Sequence, residues 1–205
     1  MSNRNISEIV DLADAVETLV ATCARAQHSV EFTFAPIPPQ VLETVTSQLR
    51  LTPELRSWYE RAAPVTFWFW WGNQYMLHDV RDLPDSLVGY RWAEVGVDGP
   101  EWGWDPNWVV IGDWGADPII AHIDEPGTPI SMDIHGSGEW KPRRIAPSLA
   151  AYLRALSVWV DVFFVRHEGR YQNDDCTVRD DVRAEFNSEI RTVLDEHHSQ
   201  WWPWE

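Results

Sequence analysis

The chain has 205 residues, of which 44% are hydrophobic and 23% charged, with a net charge of −16. That length fits one large domain or a domain with an added subdomain, and the composition is that of a globular protein rather than of a disordered chain. Thirty-two acidic residues against 16 basic ones make a surface that repels nucleic acid and anionic lipid and favours cationic partners. No apolar run approaches the roughly 20 residues of a membrane-crossing helix. The opening Met1-Ser-Asn-Arg-Asn-Ile-Ser-Glu-Ile9 has no apolar signal core, so a cytoplasmic location is expected. Cys23 and Cys176 are expected as free thiols of a reducing compartment.

Along the chain, Ile9, Leu12, Val16, Leu19, Val20 and Cys23 recur at helical spacing and predict a helix over 7–27, with Ser7 as its N-cap. Phe32-Thr-Phe-Ala35 reads as extended and runs into Pro36, Pro38 and Pro39. A helix follows through Val41, Leu42, Val45 and Leu49. The next opens at Thr52-Pro53-Glu54, a capping residue followed by proline at the first helical position, and carries Leu55, Trp58, Tyr59 and Ala62 on one face. Val65 to Trp71 predicts a strand with aromatic residues on both faces. The Gly-, Pro-, Asp- and Trp-rich stretch 72–107 predicts loops and short strands. The negative charge is concentrated: segment 79–125 has eleven acidic residues and only Arg81 and Arg91 as bases.

Trp108 to Gly112 predicts a further strand, and Gly112 to Asp117 a turn. Ile119–Asp124 and Ile130–His135 flank Glu125-Pro-Gly-Thr128. Centring the turn on Pro126-Gly127 pairs residues whose numbers sum to 253 and places Ile119, Ala121, Ile123, Ile130, Met132 and Ile134 on one face. His122, Asp124, Ser131, Asp133 and His135 then lie on the other, which predicts a half-buried antiparallel hairpin. Pro-Gly suits a type II turn. Pro147-Ser148 opens a long helix carrying Leu149 to Phe164, and a last helix is expected from about Val178 to His197. Helices first, a sheet in the middle and helices last indicate an α+β fold with a central, mostly antiparallel sheet flanked by N- and C-terminal helices.

Segment 108–156 resembles the SUKH superfamily, the proteins related to the yeast cell-wall assembly regulator, many of them bacterial immunity proteins. The residues that carry the likeness are Trp108-Val-Val-Ile-Gly112, Ala116-Asp117, Ile120–Asp124, Gly127-Thr-Pro-Ile-Ser131, His135, Trp140 and the helix Ser148–Leu153. The upstream Thr52-Pro-Glu-Leu-Arg-Ser-Trp-Tyr59 is similar to the family's first helix. The chain departs from the family at Ala62-Ala63-Pro64, at the Trp inside Gly112–Asp117 and in the length of the Trp-rich stretch 67–107. The resemblance implies a single domain over 1–205, with 160–205 as a C-terminal helical extension, and neutralisation of a cognate toxin by direct binding without a cofactor.

Three kinds of candidate chemistry stand in the residues. His122, Asp124, Asp133 and His135 share a face of the predicted hairpin, but the register sets His122 and His135 roughly 13 Å apart, too far for one ion. No metal is therefore expected. Asp113, Asp117 and Asp124 lie near His122 without a nucleophile elbow or a phosphate loop, so no enzymatic activity is expected. Fourteen tryptophans are the third signal. Trp58, Trp68, Trp108 and Trp159 fall on predicted core faces. Trp102, Trp104 and Trp114 fall in loops, where they either tuck beneath the chain or anchor a partner.

The expected function is that of an immunity-type protein occluding a basic protein toxin, a nuclease being one fit. Trp102, Trp104, Asp105, Asp113, Trp114 and Asp117 form the expected partner-binding set. The alternative is a carbohydrate-binding or cell-wall-linked regulatory module that uses exposed tryptophans.

Overall fold

The computed structural model describes residues 3–26, 30, 32–99 and 103–202. It is an α+β fold whose centre is a seven-stranded sheet in the order β1-β2-β3-β6-β7-β8-β9, every neighbouring pair antiparallel. The strands are β1 (Phe32–Ala35), β2 (Ala63–Trp71), β3 (Asn73–Leu77), β6 (Trp108–Trp114), β7 (Asp117–His122), β8 (Ile130–Met132) and β9 (Arg143–Ala146), while β4 (Trp92–Glu94) and β5 (Val97–Asp98) form a separate small hairpin. Among the described residues, no helix is long and apolar enough to cross a membrane.

Helix α1 (Asn3–Arg25) precedes β1, and α2 (Pro39–Gln48) and α3 (Pro53–Ala62) follow it before β2. The first begins at Asn3, ahead of the expected cap at Ser7. Its stripe of Leu12, Val16, Leu19 and Cys23 is buried as the spacing predicts. The start of α3 also follows its signal: Thr52 Oγ1 accepts the Leu55 amide at 3.1 Å, and Pro53 occupies the first turn.

One face of the sheet packs on α4 (Leu149–Val160). The rings of Phe69 and Tyr75 meet Trp159 at 5.0 and 5.2 Å, and the buried Tyr75 and Tyr152 hydroxyls are hydrogen-bonded to each other. Ser148 caps α4 by accepting the Ala151 amide. The predicted long helix does not run on regularly to Phe164. It passes into a π-helical turn, Asp161–Arg166, with the His167 amide bonded to the Val162 carbonyl.

The expected last helix is two helices, α5 (Asp180–Ile190) and α6 (Glu196–Ser199), the second capped by Asp195 accepting from the His198 amide. Val182, Phe186, Ile190, Leu194 and Trp202 nonetheless join the same core as the sheet. Trp202 donates its indole N–H to the Ile145 carbonyl at 3.0 Å and fixes the tail against β9. Cys23, buried, and Cys176, exposed, are both free.

Two sheet expectations are corrected. The β7–β8 register pairs Ile119 with Met132 and Ala121 with Ile130, so the sum is 251 rather than 253. The turn itself is as predicted: the Thr128 amide bonds the Glu125 carbonyl and Gly127 has φ 76°, the type II signature. The slip arises because Thr128, also at positive φ, turns inward to bond Thr52 Oγ1 at 2.7 Å, and pairing resumes with the His122 amide on the Pro129 carbonyl. A slip of two leaves the face assignment unchanged. The hairpin is not half-buried, however, since His122 and Ser131 are buried as well as Ile123 and Ile130. The second correction is the expected turn Gly112–Asp117. Strand β6 continues to Trp114, which pairs with Asp117 across a two-residue turn at Gly115-Ala116.

Candidate protein-interaction surface

The second face of the sheet is covered by the segment between β3 and β6, with 3₁₀ turns Val80–Asp82 and Asp85–Leu87 and the β4–β5 hairpin. Val80, Leu83, Pro84, Leu87 and Trp92 are buried in this layer. Ser86 Oγ donates to the Val110 carbonyl and Trp104 Nε1 to the Trp108 carbonyl, pinning the layer along β6. Among the described residues, the cover does not extend over β2. Trp68 is 48% and Trp70 62% exposed, while Phe67 and Phe69 between them are buried. The expectation that Trp68 belongs to the core is thus wrong: strand alternation sends 67 and 69 toward α4 and 68 and 70 outward, where nothing described lies on them.

Cross-strand partners share a face, so the register extends this open surface across the sheet. Trp70 neighbours Gln74, Trp68 neighbours Met76, and Met76 neighbours Asp113. Asp113 sits where the open surface meets the loop layer. Its carboxylate lies 3.4 Å from His78 Nε2. Burial pushes the Asp113 carboxyl up to about 6 and the His78 imidazole down to about 4, so both groups are held toward their neutral forms.

Beyond Asp113 the loop layer is acidic. Asp82, Asp85, Glu94 and Asp98 are exposed on it, together with Val88, Val95 and Val97. The carboxyl of Asp82 is raised by burial and then by the neighbouring charges of Asp79 and Asp85. Like charges here are close enough to repel one another, a cost that a cationic partner would relieve.

The six residues expected to bind a partner do not form one patch. Trp102 lies outside the described residues. Trp104 is half-buried, with its ring 4.9 Å from Tyr90, 5.3 Å from Trp108 and 5.0 Å from Trp140. It is packed among these rings. Asp105 accepts the Asn107 amide and shapes the turn into β6. Asp113 and Asp117 both act on Tyr90, whose phenol is pushed up to about 12, first by burial and then by these two carboxylates. The Tyr90 hydroxyl donates to the Ala116 carbonyl, so this one side chain links the Trp104 loop to the turn after β6. Trp114 lies on the other face of the sheet, beside the helices. The set is therefore divided between two sides of the sheet. The outward tryptophans Trp68 and Trp70 were not in it. Their signal, a strand with aromatics at every position, was present in the sequence, but which parity would be left uncovered was not.

A polar relay that sequence reasoning missed lies within the sheet. His122 Nε2 is 2.8 Å from Ser131 Oγ, and His122 Nδ1 is 3.4 Å from Glu125 Oε1. Arg144 grips both Glu125 oxygens, at 2.9 and 2.6 Å, and holds that carboxyl below the usual range. The order hydroxyl, imidazole, carboxylate is that of a nucleophile with its base and orienter. Ser131, however, is 1% and His122 7% exposed, so a substrate has no approach to the hydroxyl. His122, Asp124 and Glu125 each offer a ligand atom within 4.8 Å of the others. The guanidinium of Arg144 on Glu125 opposes a divalent cation at that place. Asp133 and His135, the other members of the expected histidine and aspartate group, are engaged elsewhere. Asp133 accepts from the Ile134 and Lys141 amides, and the His135 amide donates to Asp117.

No protein-family model matches the chain, and neither does any curated protein.

Proposed function

We propose that this protein binds and neutralises a basic protein toxin by direct occlusion, the function implied by its resemblance to the SUKH superfamily. The observation that supports this reading is the surface on which Trp68 and Trp70 stand open beside Asp113 and the exposed carboxylates of segment 79–98. Acidic groups steer a cationic partner and raise its rate of encounter, while desolvated aromatic side chains slow its departure. Arginine and lysine side chains of the partner would stack on the two indoles and pair with the carboxylates around them. The relay around Ser131 is assigned a structural role.

The test is co-expression with basic protein toxins, beginning with any toxin-like product encoded beside this chain, followed by calorimetry of the purified pair. Growth should be rescued. Affinity should fall as salt rises, and Trp70→Ala should cost roughly 2 kcal/mol of binding with the fold intact. Binding that survives both Trp68→Ala and Trp70→Ala unchanged would place the contact elsewhere. One observation favours the carbohydrate-binding alternative: two outward indoles two residues apart on one strand stand roughly 7 Å from each other and could stack on successive sugar rings. Affinity for a neutral glycan that is indifferent to salt and lost in Trp70→Ala would establish that reading instead.

A further inference from the structure

On the opposite side of the sheet, a cleft of about 550 Å³ opens between the ends of β6–β9 and helices α5 and α6. Its volume is that of a small-molecule site. Met132, Ile145, Ile190 and Trp202 give it an apolar floor, and Trp114 and Trp201 stand at its walls. Arg143, Arg183 and Arg191 also line it.

Most described cations of this chain lie beside carboxylates. Arg25, Arg81, Arg91, Arg144, Arg154 and Arg166 each lie within 4.0 Å of a carboxylate, as expected where acids outnumber bases two to one. Among the described residues, neither Arg143 nor Arg191 makes an ion pair. The Arg143 guanidinium instead lies over the Trp201 ring, 4.1 Å from its centroid. Stacking orients the guanidinium while its N–H groups remain available for an acceptor.

Carboxylates line the cleft too, but two of the three are already engaged by backbone amides. Asp117 accepts from His135, and Asp133 accepts from Ile134 and Lys141. The polar groups that line the cleft besides these two include the Arg143 and Arg191 guanidiniums, the carboxamides of Asn187 and Gln200 and the Glu196 carboxylate.

We infer that this cleft binds a small anion built on a planar heteroaromatic ring. The ring lies against Trp114 and Trp201 over the apolar floor, and the phosphate or carboxylate is held by Arg143 and Arg191. A planar, delocalised ring matches indole walls, and a forked oxyanion matches guanidinium geometry. The site is on the other face of the sheet from the proposed toxin contact, so occupancy of one can be measured without the other.

The experiment is isothermal titration of the full chain with adenosine 5′-monophosphate and with indole-3-acetate, which separate a phosphate from a carboxylate. Adenosine and inorganic phosphate serve as the half-ligands. At least one of the two ring-bearing anions should bind, and more tightly than either half-ligand. Arg143→Gln and Arg191→Gln should each weaken binding about tenfold or more, with unchanged melting temperature for Arg191→Gln, whose side chain is exposed. Arg61→Gln, an exposed arginine that does not line the cleft, should bind like the parent. Absence of binding by both anions up to millimolar concentration would overturn the inference, as would equal binding by the parent and Arg191→Gln.

Discussion

Asp113→Asn tests the electrostatics of the open surface directly. The carboxyl is raised from its ordinary 3.8 to about 6, with burial as the cause. A folded-state value above the unfolded one means that the protonated form is favoured by folding. The stabilisation is complete below the unfolded value and is lost as pH rises through about 6. At pH above that range, keeping the ionised group in place costs roughly 3 kcal/mol, from 1.36 kcal/mol per pH unit of displacement. The side chain is 22% exposed, and solvent screening reduces the cost to the order of 1–3 kcal/mol. Asparagine keeps the shape and an acceptor for His78 without the charge. Asp113→Asn should therefore raise stability at about pH 7.5 by roughly 1–3 kcal/mol, or about 2–12 °C in Tm for a chain of this size. Near pH 4 the gain should shrink to a few tenths of a kcal/mol, because the folded parent is then already protonated. Urea titrations of both proteins at the two pH values provide the assay. An equal change at both, or a loss at neutral pH, would refute the assignment of Asp113 as a charge held against its environment.

Tyr75→Phe removes the hydrogen-bond partner of the fully buried Tyr152 hydroxyl and should cost about 1–3 kcal/mol. The double variant Tyr75→Phe/Tyr152→Phe should recover part of that loss in the same unfolding assay, and a purely additive cycle would count against the pairing. Gly112→Ala would place a Cβ 2.3 Å from the Met76 carbonyl oxygen, which is backbone and cannot rotate away, so a loss of roughly 2–4 kcal/mol is expected. Denaturation within about 0.5 kcal/mol of the parent would contradict the β3–β6 register. Thr52→Val removes both the cap on the Leu55 amide and the bond to Thr128, and should cost about 1–2 kcal/mol, read as a lower urea midpoint at constant slope.

Much of the fold was legible locally. The stripe from Leu12 to Cys23, the Thr52-Pro53 helix start, the Ser148 start and the Pro126-Gly127 turn each carry their instruction within a few residues. A cap, a fixed φ or a helical period acts over one or two turns of chain. The β7–β8 pairing was legible only to its parity, because alternation specifies a face and not a position along the strand. The two-residue slip came from Thr128 meeting Thr52, residues 76 apart in sequence. The break between α5 and α6 was missed because the apolar spacing from Val182 to Val193 persists through it.

The candidate site was less legible for a related reason. The sequence by itself determined that the surface would be acidic, that the negative charge would gather in 79–125 and that tryptophans would be abundant enough to stand in both core and surface. It could not assign which tryptophan went where. Trp68 and Trp159 read alike as strand and helix aromatics, yet Trp159 is fully buried and Trp68 is 48% exposed. Exposure is set by what lies on a residue, and the described residues of the layer between β3 and β6 stop short of β2. The same holds for Trp202, which reads as one more tail residue until its indole meets the Ile145 carbonyl. Tertiary structure also made the arginine-lined cleft, bringing Arg143 of β9 together with Arg183 and Arg191 from the α5 segment. Hydrophobic burial and backbone hydrogen bonding set which strands and helices form. The distribution of unpaired charge and uncovered aromatic surface depends on how those elements overlap, and no local sequence signal records that overlap.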